Sequence, residues 1–137
     1  MQPVLLLLLV VITGALQVGS QTILGRMIDA MPKSGSAGIH HRMGYSIAAV
    51  LVLMIGHLLQ VLVWATCYWY WGELGSLRNC VYFSLASFTT VGATDLALPP
   101  GHRMAGAVEA AIGMLMFGWS TALLVNVIQR VERPGRL

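Results

Sequence analysis

The sequence predicts an all-α integral membrane fold with three transmembrane helices and one short re-entrant helix. Of its 137 residues, 57% are hydrophobic and 9% are charged, whereas soluble domains carry about 25% charged residues. Residues 4–24, 45–71 and 104–129 hold at most one charge each and are long enough to cross about 30 Å of hydrocarbon. Residues 79–94 are uncharged, but the segment is too short to span and is predicted to be re-entrant.

The composition also limits the ligands that we expect. A net charge of +3 is too small and too dispersed for a nucleic-acid footprint. Cys67 and Cys80 lack metal-ligand spacing and are interpreted as apolar residues, although a bridge between them stays open. The adjacent histidines His40 and His41 have no third ligand nearby, so a solvated loop is favoured over a metal site. We therefore expect no cofactor and no resident metal.

The N-terminal transmembrane segment, residues 1–24, carries a polar face. Its polar side chains recur three or four residues apart, which places them on one side of a helix: Thr13, Gln17, Ser20 and Gln21. That side is expected to face protein and not lipid. A cleaved signal peptide is the alternative, but the apolar run is not preceded by a basic region.

The second span, residues 45–71, follows a polar loop at residues 25–44 that we expect in the cytoplasm. Only His57 and Gln60 are strongly polar inside this span. Aromatic side chains crowd its end and predict a belt at one headgroup layer: Trp64, Tyr68, Trp69, Tyr70 and Trp71.

The re-entrant segment, residues 77–95, combines a short helix with a loop. Ser76 is a suitable N-cap for a helix that begins near Leu77 and ends near Phe88. Two prolines and a glycine at residues 99–101 then stop the chain before the last span.

Basic residues set the predicted orientation. Two of them, Arg78 and Arg103, flank the re-entrant segment, whereas six lie in the first loop and in the tail, residues 130–137: Arg26, Lys33, Arg42, Arg130, Arg133 and Arg136. Because cytoplasmic loops are enriched in Lys and Arg, the first loop and the C-terminus are placed in the cytoplasm. The N-terminus and the re-entrant loop are then outside.

The loop after the short helix resembles a known motif. Potassium-selective members of the tetrameric cation-channel superfamily carry the sequence TTVGYGD, and five of those seven positions match here: Thr89, Thr90, Val91, Gly92 and Asp95. The resemblance covers residues 45–130, the two-span pore module, and is strongest to small bacterial ion channel family proteins with an added first helix. It implies a homotetrameric, potassium-channel-like pore in the bacterial cytoplasmic membrane, with the lipid bilayer around it.

Elementary physics explains why such a loop suits cations. Irregular backbone is tolerated at membrane depth where it lines a water-filled path, and a ring of carbonyl oxygens replaces the hydration shell of an ion. The C-terminus of the short helix adds partial negative charge. A ring of Asp95 carboxylates at the outer mouth would concentrate cations. One chain carries one loop, so closure requires cyclic symmetry, and the resemblance implies four copies.

Two positions depart from the motif. Ala93 stands where the family has a tyrosine that packs behind the filter, and Thr94 stands where it has a glycine with positive φ. A β-branched residue in that conformation is a costly outlier. We therefore predict a wider outer vestibule and weak discrimination of K⁺ over Na⁺, with both ions permeant.

The last span carries residues with candidate roles in gating. Gly113 and Gly118 are candidate hinges, with close helix packing as the alternative reading. Ser120, Thr121 and Val125 are candidates for lining an inner cavity.

Ionisable residues inside the spans are also candidates for function. Together with Gln60, the two residues Glu109 and His57 predict an intramembrane polar network. Glu109 is expected to brace the back of the filter. His57 lies near the depth of Ser120, where it is either a proton-sensitive gate or a hydrogen-bonded packing residue.

Two other functions are consistent with parts of the sequence. Ser120 follows Gly118 and Trp119, and its shared depth with His57 resembles the dyad of intramembrane serine proteases. Three spans are too few to enclose a wet site, and no oxyanion donors are evident, so we expect no enzyme. A non-conducting pore-module homologue that acts as an assembly or regulatory subunit stays open.

Overall fold

The computed structural model describes residues 3–30, 39–92 and 95–132. They form four helices and, within those residues, no strand: α1 (Pro3–Asp29), α2 (Ile39–Trp71), α3 (Leu77–Phe88) and α4 (Arg103–Glu132). Helices α1, α2 and α4 are long and apolar enough to cross a membrane. Helix α3 has 12 residues, or about 18 Å at 1.5 Å per residue, which is too short to span. The prediction of three helices able to span a membrane is confirmed.

The helix ends differ from the predicted bounds. Helix α1 continues past residue 24 to Asp29, and α2 begins at Ile39 instead of residue 45, so much of the predicted loop at residues 25–44 is helical. Residues 31–38 lie outside the described ranges. Charged side chains such as Arg26 and Arg42 can stay on a helix here because long basic side chains reach the headgroup layer. The last helix also extends beyond the predicted 104–129.

Helix α3 begins where the sequence places it. The Ser76 hydroxyl accepts a hydrogen bond from the Asn79 amide at 3.2 Å, and the Asn79 side chain donates to the Leu74 carbonyl at 3.0 Å. The first satisfies one of the amides that a helix start leaves without a partner. The N-cap prediction for Ser76 is confirmed.

The polar face of α1 is buried in the protein. Thr13 and Gln17 are 0% and 1% exposed, Ser20 is also buried, and Gln21 is half-buried. The apolar residues Val4 and Leu7 lie exposed on other sides of the helix. The predicted protein-facing side of α1 is confirmed for the three fully buried residues.

The aromatic residues of α2 do not form one belt. Trp69 and Tyr70 are exposed at the end of the helix, but Trp64 and Tyr68 are completely buried. Trp64 and Tyr68 are four residues apart on the face that packs against the other helices, and each of their polar groups has a partner there. The belt prediction is therefore wrong for Trp64 and Tyr68.

Two hydrophobic clusters of unequal size hold the helices together. The larger one surrounds α3 and includes Trp64, Phe83, Phe88, Ile112 and Met116. The smaller one joins the far ends of the three long helices and has four buried members: Leu24, Ala49, Leu53 and Val127. Cys67 and Cys80 are both free thiols, so the alternative of a bridge between them is wrong.

A polar and aromatic contact joins the end of α2 to the start of α4. The Nδ1 atom of His102 pairs with the Glu73 carboxylate. The Trp71 indole stacks on the same imidazole, with centroids 4.3 Å apart and an interplanar angle of 14°. The two helices that flank α3 are thus tied together at one end.

Candidate functional site

The site begins where α3 ends. Thr89 caps the helix, and its hydroxyl donates to the Leu85 carbonyl at 2.7 Å. The Thr90 amide then donates to Ser87 at 2.9 Å, and the Gly92 amide donates to Ala86 at 3.0 Å. These bonds turn the chain back against the last turn of the helix and satisfy carbonyls that a helix end leaves free.

The turn places Thr90 in a strained conformation. Its φ is 63°, in the left-handed region, and Gly92 has a φ of 77°. Glycine enters this region freely, whereas a β-branched residue pays a cost of about 1–3 kcal/mol. Glycine is also the usual residue just beyond a helix C-terminus. The hydrogen bonds to Ser87 and Ala86 offset part of that cost.

The residues that follow α3 are exposed on the single chain. Thr90, Gly92 and Asp95 are exposed, and Val91 is 80% exposed. Ala93 and Thr94 lie outside the described residues, so the sequence-based expectation for the outer part of the loop stays a prediction. The described backbone from Thr90 to Gly92 is therefore accessible to an ion or to further copies of the chain.

A close contact with α4 supports the base of this turn. Gly113 faces the Phe88 backbone, and a Cβ at residue 113 would lie 2.0 Å from the Phe88 carbonyl oxygen. Real Cβ atoms do not approach that closely, so only glycine permits this approach. Gly113 therefore has a packing role. Gly118 has open space around it, and the hinge predictions for both residues stay predictions.

The buried carboxyl group of Glu109 connects three helices, α2, α3 and α4. The Tyr68 hydroxyl of α2 donates to Oε2 of Glu109 at 2.6 Å, and Ser84 of α3 lies 2.5 Å from Oε1. Glu109 is 0% exposed. The Ser84 hydroxyl also lies 2.8 Å from the Val61 carbonyl oxygen. The contact between Glu109 and Ser84 links α4 directly to the helix that precedes the turn.

The number of hydrogens in this cluster indicates the protonation state of Glu109. The Ser84 hydroxyl has one hydrogen but faces two acceptor oxygens, on Glu109 and Val61. A proton on Oε1 of Glu109 completes the set, because Glu109 then donates to Ser84 and Ser84 donates to Val61. The cluster is fully satisfied with a neutral carboxyl group, the form whose burial costs least.

A second buried polar cluster lies between α1, α2 and α4. The Gln17 amide nitrogen donates to the Ser120 hydroxyl at 2.9 Å, and its carbonyl oxygen accepts from Gln60 at 3.0 Å. The Ser120 hydroxyl lies 3.0 Å from Nε2 of His57. The structure thus brings His57 and Gln60 together, but Glu109 belongs to the other cluster.

Gln17 is the member of this cluster that was not predicted from the sequence to belong to the polar network. Its spacing of four residues from Thr13 and three from Ser20 marked it as protein-facing, but no pattern in the sequence paired it with a residue 103 positions away. Thr121 and Val125 are exposed on α4, whereas Ser120 is buried and faces α1 and α2. Ser120 therefore does not share a face with the other two candidates for the cavity lining.

The distance between Ser120 and His57 also bears on the enzyme alternative. Their 3.0 Å separation is that of a serine–histidine dyad. However, Ser120 is only 6% exposed, and its oxygen already accepts a hydrogen bond from Gln17. A nucleophile needs a free approach to a substrate carbonyl, so this pair is better suited to holding helices together.

A family model described as an ion channel matches residues 47–130, more than half of the chain, from α2 through the turn after α3 to α4. No match is found among curated proteins or among solved structures. Helix α1 lies outside the matched residues.

Proposed function

Because the chain belongs to the ion channel family, we propose that it conducts monovalent cations passively, with K⁺ as the main permeant ion and Na⁺ as the second. The proposal assigns the selectivity filter to residues 89–95, with α3 as the pore helix. Carbonyl oxygens from Thr90 to Ala93 would coordinate the ion, and Asp95 would attract cations to the outer mouth.

One observation carries this proposal. An exposed turn with the sequence Thr90-Val91-Gly92 lies at the C-terminal end of a helix that is too short to span, and the base of this turn is packed against α4 at Gly113. The C-terminal end of α3 carries partial negative charge, which favours a cation near it. At membrane depth, the non-helical backbone that follows such a helix end is tolerated only where it is buried in protein or lines a water-filled path.

The proposal requires several copies of the chain. Each copy supplies one turn, so a ring of carbonyl oxygens needs cyclic symmetry, and a homotetramer is the form that the motif implies. Apolar side chains on α3 and α4 are exposed on the single chain and are available to neighbouring copies, among them Tyr82, Leu85, Met114 and Leu115. We place this tetramer in the bacterial cytoplasmic membrane, with the N-terminus outside and the C-terminus in the cytoplasm.

The same proposal places the gate on α4. Gly113 is packed against Phe88 and has no room to move independently of α3, whereas Gly118 is exposed and unobstructed. A bend at Gly118 that opens the inner end of the pore is therefore favoured. Thr121 and Val125 are exposed beyond it and would line the cavity.

Recording from purified protein in planar bilayers tests the function. We expect unitary cation currents and a reversal potential, under opposed K⁺ and Na⁺ gradients, that shows weak preference for K⁺. The mass of the protein in detergent should correspond to a tetramer. A monomer would contradict the pore, and a tetramer that passes no current would favour the non-conducting subunit instead.

A further inference from the structure

The hydrogen bonds of the second buried cluster run in one direction along a series of four side chains. Gln60 donates to Gln17, and Gln17 donates to Ser120. The Ser120 hydroxyl can then donate its hydrogen to Nε2 of His57, 3.0 Å away, when that nitrogen is an acceptor. Three helices contribute to this sequence of bonds, with Gln17 from α1 and Ser120 from α4.

Two buried polar atoms lie at the two ends of this series of hydrogen bonds. Within the described residues, Nδ1 of His57 and Oε1 of Gln60 are buried without a hydrogen-bond partner. The first carries a hydrogen when Nε2 is an acceptor, and the second is an acceptor. Their residues are three apart on α2 and so lie on one face of it. One water between them would close the series into a ring, in which each of the four side chains donates one bond and accepts one.

Helix α1 is held close to the pore module by two neighbouring contacts. Trp64 donates its indole hydrogen to Thr13 at 3.0 Å. One turn further along α1 than Gln17, Ser20 packs against Gly56, where a Cβ would lie 2.3 Å from the Ser20 oxygen. Both contacts join α1 to α2 only. The bond from Gln17 to Ser120 differs from them because it joins α1 to α4.

We infer that Gln17 is a positioning residue for the gate, and that α1 therefore helps to keep the pore closed. This inference rests on the proposed function. Ser120 lies two residues beyond Gly118, so a bend at Gly118 must displace Ser120 from its partners on α1 and α2. The ring opposes that bend and stabilises the unbent α4. Loss of the Gln17 bond favours the bent, open state.

Open probability in bilayers tests the inference. Gln17→Leu and Ser120→Ala each remove the bond between α1 and α4, and we expect each to raise the ratio of open to closed time about fivefold, which corresponds to about 1 kcal/mol. The double variant should show less than the sum of the two single effects, because both single variants remove the bond between Gln17 and Ser120. Unitary conductance should not change, since the filter is untouched.

Two control variants separate a lost hydrogen bond from lost packing. Thr13→Val removes a hydrogen bond of the same helix face that reaches only α2, and we expect the wild-type open probability. Ser120→Thr keeps the hydroxyl group and should restore the wild-type ratio. Equal open probability in wild type and Gln17→Leu overturns the inference, as does an equal rise in Thr13→Val.

A measurement that needs no current keeps the two proposals apart. Spin labels at the exposed residues Ile23 of α1 and Ile128 of α4 report the distance between the two helices beyond Gly118. We expect Gln17→Leu to broaden the distance distribution and Thr13→Val to leave it unchanged. If the wild type passes no current, the proposed function is wrong. An unchanged distance distribution in Gln17→Leu would separately refute the role of Gln17.

Discussion

Gly113 of α4 lies against the carbonyl oxygen of Phe88, the last residue of α3. The last turn of α3 and the middle of α4 therefore share one backbone-to-backbone contact, at the point where the proposed filter begins. Through this contact α4 can support the proposed filter without any side chain of its own at this position.

Replacing Gly113 by alanine should separate α4 from α3. The new methyl group would lie 2.0 Å from the Phe88 oxygen, and backbone atoms cannot move aside without shifting a helix. Overpacking of this kind costs about 1–3 kcal/mol. We expect a lower midpoint of thermal unfolding in detergent and a smaller tetramer fraction on size exclusion.

Gly118→Ala is the matched control, since it changes the same residue type on the same helix. A Cβ at residue 118 meets open space, and alanine favours helix more than glycine by about 1 kcal/mol. Its unfolding midpoint should equal or exceed that of the wild type, while its open probability falls because bending is harder. A Gly113→Ala variant as stable as Gly118→Ala would show that the Phe88 contact is not needed.

The Glu109 cluster can be tested by replacing the carboxyl group with an amide. Glu109→Gln should preserve stability, because its nitrogen can donate to Ser84 while its oxygen accepts from Tyr68. Glu109→Ala leaves both hydroxyl groups without that partner and opens a cavity, at an expected cost of about 2–4 kcal/mol. Thermal unfolding of the two variants in the same detergent compares them.

The outcome for Glu109→Gln also decides the protonation state. An amide copies a neutral carboxyl group but not a carboxylate. If Glu109→Gln is destabilised as much as Glu109→Ala, Glu109 is charged in the folded protein and the hydrogen count given above is wrong.

Selectivity should respond to the two residues that depart from the family motif. Ala93→Tyr combined with Thr94→Gly restores the sequence TTVGYGD, and we expect a reversal potential shifted toward that of K⁺. A glycine at residue 94 permits positive φ, and a tyrosine at residue 93 supplies a side chain to pack behind the filter. Unchanged reversal potentials would indicate that these two residues do not set the discrimination. Each single variant shows which residue matters more.

The Asp95 carboxylate, which we propose lies at the outer mouth, should act through long-range attraction. Asp95 is exposed, and several copies around an axis would raise the local cation concentration. Asp95→Asn should lower unitary conductance several-fold at about 10 mM salt, where the Debye length is about 30 Å. The difference should vanish near 1 M salt, where that length is about 3 Å. A salt-independent loss would point to a change in filter shape.

The lengths of the uncharged runs and the periodicity of the polar residues were sufficient to predict the helices. The uncharged runs predicted three spans, Ser76 marked the start of α3, and the spacing of Thr13, Gln17 and Ser20 marked the buried side of α1. The ends of α1 and α2 were misplaced because charged residues signal a loop in the sequence, whereas at a membrane surface they can remain on the helix.

Side-chain contacts between different helices could not be predicted from the sequence. Glu109 was expected behind the filter, but its partners Tyr68 and Ser84 depend on how the helices rotate about their axes. The same holds for Trp64, which composition alone assigns to the headgroup layer and which the structure buries against Thr13. Glycine carries no side chain to show its role, so the function of Gly113 appeared only with its neighbour Phe88 in place.

The unequal hydrophobic clusters have a consequence for local unfolding. Around α3 the larger cluster is reinforced by Glu109 and by Gly113, whereas four residues form the smaller one at the other ends of the helices. Segments with fewer buried contacts open at lower free energy. Backbone amides near Leu24, Ala49 and Val127 should therefore exchange with deuterium well before those near Trp64 and Phe88. This half of the chain should also be the first to unfold locally when the bilayer becomes thinner.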